Sequence, residues 1–150
     1  MKKVLLSALV AGLGLAGSPA LVEAGLFSAT GKVIAILAGS LFVGVAEGHL
    51  NGAGTLSIHS KADPSVTCHG QFTSSAELGG KGQLECSDGA TATFHFQRLT
   101  VFRGHGAGET SRGAMSFSYG LSAEEAGPFL KLPGGKKLTG SGTTLALVDL

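Results

Sequence analysis

The sequence is poor in charge and in the larger aromatic residues. Charged residues make up 14% of it, against about 25% in a typical soluble domain, and it has one Tyr and no Trp. Lys and Arg together number 11 and Asp and Glu 10, so the formal net charge is +1. Binding to nucleic acid needs a basic excess or a basic stripe. We therefore expect no nucleic-acid partner.

Motifs for metal, nucleotide or nucleophilic chemistry are also missing. The five histidines show no His-x-x-x-His spacing, and the two cysteines show no Cys-x-x-Cys spacing. No Gly-x-Ser-x-Gly elbow is present. The glycine run at 104–108 would need a helix after it to hold a phosphate, but a further strand pattern follows it. We expect no metal, no cofactor and no enzymatic activity.

The first 24 residues have the three parts of a secretory signal. Lys2 and Lys3 precede a short apolar run, and small residues follow that run. Cleavage fits after Ala20 or, as we prefer, after Ala24. An uncleaved membrane anchor is the alternative, although the apolar run is shorter than the roughly 20 residues of a spanning helix.

Export has consequences for charge, compartment and domain boundaries. Removal of the signal takes away two Lys and one Glu, which reduces 11 basic and 10 acidic residues to 9 of each. No Cys lies near either cleavage site, so the signal is not of the lipoprotein type. We expect a periplasmic or extracellular protein, with a signal peptide at 1–24, a single β domain at 25–138, and a C-terminal tail or last strand at 139–150.

The stretch from Val66 to Phe96 predicts three consecutive antiparallel strands. Apolar or small residues alternate with polar ones along it, and Cys68 falls opposite Cys86 if the first loop centres near Glu77. Directly opposed Cβ atoms in an antiparallel pair lie close enough for a disulfide, and an oxidising compartment favours one. A three-residue hairpin loop ending in Gly89 continues the register into the third strand. We expect a disulfide between the two cysteines.

The whole chain favours an all-β fold. Glycine accounts for 25 of the 150 residues and recurs near predicted turns and strand starts. About eight short strands with close turns are typical of a small antiparallel β-sandwich or β-barrel. A Ser N-cap followed by two Glu residues predicts one short helical turn near 122–127.

The segment from Lys32 to Glu47 predicts a hairpin that is apolar on both faces. A two-residue turn at Gly39-Ser40 places Ile36 opposite Val43, and a second such turn, at Asn51-Gly52, places Val45 opposite Ile58. This register puts one apolar face inside the sheet. The face left outside consists of Val33, Ala35, Leu37, Phe42 and Ala46.

An apolar outer face needs a cover, a partner or lipid. Burial under the C-terminal segment is one alternative, self-association or binding of an unknown protein is the second, and membrane contact is the least favoured. We single out Val33, Leu37 and Phe42 as a candidate interaction surface. The function that this suggests is a non-enzymatic interaction or structural module of the cell envelope.

An open barrel end offers a second function, the binding of a small molecule or a carbohydrate. Phe94, Phe96, Phe117 and Tyr119 are the candidates to line such a mouth. An enzyme is the third class, and it would have to use His69, which falls opposite Glu85 in the predicted register. On a solvated face such a pair is more often a simple cross-strand charge pair.

Several runs share a pattern with known sequences. They are GHLNGAGTLSIHS at 48–60, the Cys-Ser-Asp-Gly turn at 86–89 with its upstream partner Cys68, and FSYGLSAEEAGPFLKLP at 117–133. Through them the chain resembles a group of small exported bacterial proteins of unassigned function, over roughly residues 30–138. The resemblance implies an all-β exported domain and carries over no catalytic residue, cofactor or partner.

Overall fold

The computed structural model describes residues 28–75 and 79–150. The expected signal peptide, 1–24, and the predicted loop centre at Glu77 lie outside the described residues. Ten strands and one short α-helix occur in the described part of the chain. The strands are β1 (Ser28–Leu37), β2 (Ser40–His49), β3 (Ala53–Ser60), β4 (Thr67–Ser75), β5 (Gly79–Cys86), β6 (Thr91–Thr100), β7 (Arg103–Thr110), β8 (Gly113–Tyr119), β9 (Lys136–Thr139) and β10 (Ala146–Asp149), and the helix is α1 (Ala123–Ala126).

The first eight strands close into one antiparallel barrel. Each strand pairs with the next along the chain, and β8 pairs with β1, where Tyr119 lies opposite Val33. Closure satisfies the backbone groups that a sheet edge would expose. The expectation of an all-β fold of about eight short strands is confirmed, and of the two architectures the protein adopts the barrel.

The register of β4, β5 and β6 is the one that the alternation predicts. Cys68 lies opposite Cys86, and a disulfide joins them. Phe94 lies opposite Gly82 on the next strand pair. The β5–β6 turn ends in Gly89, whose N–H donates to the Cys86 carbonyl at 3.0 Å and whose φ of 90° suits glycine.

The β1–β2 hairpin differs from its predicted register by two residues. Its turn is Ala38-Gly39, both with positive φ, and Ile36 lies opposite Leu41 instead of Val43. A shift of two residues keeps each side chain on its face. The pairing was therefore wrong, while the grouping of residues into two faces was right.

The β2–β3 connection decides which of these faces lies inside. It contains three residues, at 50–52, so Ile58 lies opposite Gly44 instead of Val45. A slip of one residue turns every side chain of a strand to the other side of the sheet. The face that was predicted to lie outside therefore lines the barrel interior.

Val33, Leu37 and Phe42 are buried in that interior, at 2%, 6% and 7% exposure. Their interpretation as an interaction surface is wrong, because the side chains pack inside the closed barrel. The physical cause is the β2–β3 connection, which is one residue longer than the two-residue turn expected at Asn51-Gly52.

The outer face of β1 and β2 is covered by the C-terminal part of the chain. Ile34, Ile36 and Leu41 form a second buried cluster with residues from α1, from its flanks and from the position just before β10, namely Leu121, Ala126, Leu130 and Leu145. The Lys131 N–H donates to Ser116 Oγ on the outer face of β8 at 2.8 Å, which ties the cover to the barrel. Burial under the C-terminal segment, one of the alternatives, is thus realised, but by the opposite face.

The cover is built from α1 and a small hairpin. Ser122 Oγ accepts a hydrogen bond from the Glu125 N–H at 3.2 Å, and the Glu125 carboxylate accepts one from the Ser122 N–H at 3.4 Å. This capping box confirms the helical turn expected near 122–127. β9 and β10 pair with Leu138 opposite Leu147, and both leucines pack on the outer cluster. Within the described residues, no helix has the length and apolar character needed to span a membrane.

Candidate ligand site

A cavity of about 620 Å³ opens at one end of the barrel. This end, the mouth, carries the β2–β3 connection and the β6–β7 turn, while the turns after β1, β3, β5 and β7 lie at the opposite, closed end. Leu56, Phe94 and Phe117 form the floor of the cavity, and all three are buried. The volume falls within the range of about 300–1,000 Å³ that is usual for small-molecule sites.

Glycines on β7 make room for the side chains around the cavity. Gly104, Gly106 and Gly108 point inward on this strand, and Gly106 lies between Phe96 of β6 and Phe117 of β8. A Cβ atom at Gly106 would overlap the Phe117 ring. The glycines of the run at 104–108 therefore form an inward row of β7, and the element that follows the run is a strand.

The walls of the cavity are aromatic. The Phe96 ring contacts Phe72 at a centroid distance of 5.4 Å and Tyr119 at 6.1 Å, both edge to face. Phe94 and Phe117 meet edge to face at 5.2 Å on the floor below. Edge-to-face pairs of this kind hold rings in fixed orientations. The apolar wall of the cavity is therefore formed before a ligand binds.

One guanidinium reaches the rim from inside. Arg98 continues the inward row of β6 above Phe94 and Phe96, and its Nη2 donates to Ser74 Oγ at 2.6 Å. The Ser74 hydroxyl in turn donates to the Gly52 carbonyl at 3.2 Å, and the Ser74 N–H donates to the same carbonyl at 2.7 Å. Arg98 is thus held by β4 and by the β2–β3 connection.

Tyr119 lies at the same level of the barrel as Arg98. Both residues are opposite Gly104, one across each of its neighbouring strands, and a Cβ atom on Gly104 would overlap the Tyr119 hydroxyl. Burial raises the pKa of Tyr119 above its usual value of 10.0, and the positive charge of Arg98 opposes this. The phenol is therefore protonated at neutral pH and able to donate a hydrogen bond.

The ionisable groups around the cavity are unbalanced in sign. Arg98, Tyr119 and His49 are the ionisable residues among those described at its wall, and no Asp or Glu of the described chain lines it. His49 Nε2 lies 4.0 Å from the Glu47 carboxylate on the same strand. The site consequently presents one permanent positive charge above an apolar chamber.

The outer rim of the mouth is apolar. Leu50 in the β2–β3 connection is 79% exposed, and Val101 and Phe102 in the β6–β7 turn are 62% and 61% exposed. All three also border the cavity. An apolar ligand that enters the chamber would therefore contact apolar side chains at its entrance.

The four aromatic residues that were predicted to line a mouth all border this one cavity. That a ligand binds there stays a prediction. The residues of the site that the prediction did not include are more numerous, and Phe72, Ser74 and Arg98 are among them. The signal was present, because Phe72 and Ser74 follow Cys68 at even spacing, and Arg98 follows Phe96 at the same spacing.

The other candidate residues lie outside the barrel. His69 is opposite Glu85 as predicted, on the exposed face of β4 and β5, and no hydrogen bond or ion pair joins them in the described chain. A second concavity, of about 750 Å³, lies on the outer face of β5–β7, where the His105 ring stacks on Phe129 at 3.9 Å. Within the described ranges, no three His, Cys, Asp or Glu residues group as metal ligands would.

The fold is similar to that of a de novo designed, fluorescence-activating β-barrel. The two structures agree with a TM-score of 0.50 and 16% sequence identity, over 65% of this chain and 94% of the designed one. At this identity the likeness extends to the fold alone. No protein-family model matches the sequence, and no curated protein matches it either.

Proposed function

We propose that this protein binds a small, mostly apolar molecule in the mouth of its barrel. The observation that carries the proposal is the cavity of about 620 Å³, open at one end, walled by aromatic rings and floored by Leu56, Phe94 and Phe117. Pockets of this size that combine apolar walls with a few polar groups are the usual form of small-molecule sites. A designed barrel of similar fold is fluorescence-activating, which is compatible with such a use of the fold.

Partner binding through the β1–β2 hairpin loses its basis, since the residues chosen for it fill the barrel interior. Interaction with a protein through another surface stays untested. An enzymatic role would rest on His69 and Glu85, which face solvent and which no hydrogen bond or ion pair joins in the described part of the chain.

The binding test uses Nile red, a neutral dye whose emission rises in apolar surroundings. We expect saturable binding of one dye per protein. Ala46→Trp should abolish the signal, because Ala46 lines the cavity and an indole there would fill it. The matched control is Ala62→Trp, at an exposed residue beyond the closed end. It should bind the dye as the parent protein does.

The folding of each variant can be checked in the same sample. The chain has no Trp of its own, so each variant carries a single indole, whose emission reports folding. Dye binding that is equal in a folded Ala46→Trp variant and in the parent would show that the cavity is not the site.

We also propose that the domain is exported. Support comes from the signal-like first 24 residues and from the Cys68–Cys86 disulfide, since disulfides persist in oxidising compartments. Mass spectrometry of the protein recovered from its cells should show loss of the first 20 or 24 residues. An intact N-terminus would contradict cleavage.

A further inference from the structure

Arg98 has no ion-pair partner among the described residues, and an uncharged ligand would not supply one. In the described part of the chain, no carboxylate lies within ion-pairing distance of its guanidinium, and its one hydrogen bond goes to the neutral Ser74 hydroxyl. A guanidinium has five N–H donors. Donors therefore remain for a group that enters the mouth.

The chemistry around Arg98 favours an anion over any other headgroup. No acidic residue of the described chain lines the cavity, so an entering carboxylate would meet no negative charge from the described residues. Arg binds carboxylates with two parallel hydrogen bonds, a geometry that its planar fork supplies. A cationic headgroup, by contrast, would meet a like charge without any compensating group.

Tyr119 adds a second donor on the same level. Its hydroxyl lies over Gly104, the residue that separates Arg98 from Tyr119 in the barrel wall. Below these two polar groups the inward surface is apolar down to Phe94 and Phe117. The site is therefore divided along the barrel axis into a polar, positive level at Arg98 and Tyr119, inside the apolar outer rim, and an apolar chamber below it.

We propose that the natural ligand is an amphipathic monocarboxylate, of the kind represented by a medium-chain fatty acid, with its carboxylate at Arg98 and Tyr119 and its apolar body in the chamber. This inference rests on the proposed function and makes it specific. It assigns Arg98 as the residue that selects the acid, and Ser74 as the residue that positions Arg98.

The test compares two ligands that differ only in the headgroup, decanoate and 1-decanol, each measured by displacement of Nile red. The parent protein should bind decanoate more tightly. In Arg98→Met the affinity for decanoate should fall about 10- to 100-fold, as expected for loss of charge-assisted hydrogen bonds, while the affinity for decanol changes far less. Arg98→Lys should recover part of the preference, because it restores the charge without the fork.

Two controls separate a local contact from a general effect of charge. Arg112→Met removes one positive charge from the closed end and should leave the affinities for both ligands unchanged. Ser74→Ala should weaken decanoate binding by a smaller factor than Arg98→Met. Added salt should reduce the preference for the acid only modestly if the ion pair is partly buried.

The outcomes distinguish the two proposals. Equal binding of acid and alcohol by the parent protein, or an unchanged preference in Arg98→Met, would overturn the carboxylate inference while leaving the apolar site intact. Failure of Nile red, decanoate and decanol alike to bind would overturn both.

Discussion

The two ends of the barrel are built from the same eight strands but are filled differently. At the closed end, Ile58, Cys68, Leu84 and Met115 are among the most deeply buried side chains of the described structure. At the mouth, the inward row ends in Ser74, Arg98 and Tyr119 around an open chamber. The barrel is thus filled by side chains below the candidate site, while the site itself is an open chamber.

The turns at the two ends also differ in the side chains that they present to solvent. At the closed end, the Thr67 N–H donates to Ser87 Oγ at 3.0 Å and the Thr91 N–H donates to Ser111 Oγ at 3.2 Å, so neighbouring turns are joined. At the mouth, the β6–β7 turn projects Val101 and Phe102 outward. We infer that the closed end contributes most to the stability of the fold and that the mouth binds the ligand. Substitutions at the two ends should therefore have different effects.

The largest expected effect comes from a matched pair of leucines. Leu84 and Leu56 both point into the barrel and are both buried, but Leu56 borders the cavity and Leu84 does not. Truncation of a buried leucine to alanine costs about 2–5 kcal/mol, more where a larger void is left. We expect Leu84→Ala to approach the upper value and Leu56→Ala the lower one, measured by equilibrium unfolding in denaturant.

The same pair should show the reverse order in ligand binding. Leu56→Ala should change the affinity for Nile red, because it reshapes the chamber floor, whereas Leu84→Ala should leave the affinity as it is at temperatures where the variant is folded. Equal unfolding costs for the two variants would mean that the mouth is as tightly packed as the closed end.

The disulfide is the next test of the division. It lies at the closed end and joins two residues 18 apart in sequence, so it closes the loop that contains the β4–β5 hairpin, and Cys68 is fully buried. In the chain-entropy account a loop of this length contributes about 3 kcal/mol. Replacement of both Cys68 and Cys86 by Ala should lower the free energy of unfolding by about that amount without changing ligand affinity in the folded state. Loss of binding from a fully folded double variant would show that the ends are coupled.

The sequence predicts a barrel strand well where its two faces differ in chemistry. Along β4, β5 and β6 as far as Phe96, the inward residues are apolar or small and the outward ones polar, so one register satisfies the pattern, and it is the observed one. On β1 and β2 both faces are apolar, because the inner face packs in the barrel and the outer one under the C-terminal cover. Alternation cannot tell the two apart there, and the length of one connection decides.

Alternation along the sequence also identifies only part of the candidate site. The aromatic residues are recognisable as inward-facing because they are apolar, whereas Arg98 breaks the pattern at the same spacing. A charged residue in an inward row is easily taken for the end of the strand unless the cavity below it is known. What positions Arg98 is Ser74, 24 residues earlier, and such a long-range contact has no local signature in the sequence.

The smallest expected effect concerns a charge pair that joins two turns of the closed end. Arg112 of the β7–β8 turn pairs with the carboxylate of Asp88 and also donates to the Asp88 carbonyl at 2.9 Å. The hydrogen bond from the Ala90 N–H lowers the pKa of Asp88 below its usual 3.8, and Arg112 lowers it further. Because the folded state binds the proton less well than the unfolded chain, the ionised carboxylate stabilises the fold above pH 3.8 and loses this effect as the pH falls through the lower, folded-state pKa.

Asp88→Asn should therefore lower the melting temperature slightly at neutral pH, and the difference from the parent should vanish in strong acid. Asp149, whose pKa the Lys136 ammonium also lowers, lies in the β9–β10 hairpin of the cover, so Asp149→Asn is the matched control for a pair outside the barrel. If the closed end carries the stability, Asp88→Asn should shift the melting temperature more than Asp149→Asn does at pH 7. The opposite order would mean that the charge pair of the cover stabilises the fold more than the charge pair of the closed end does.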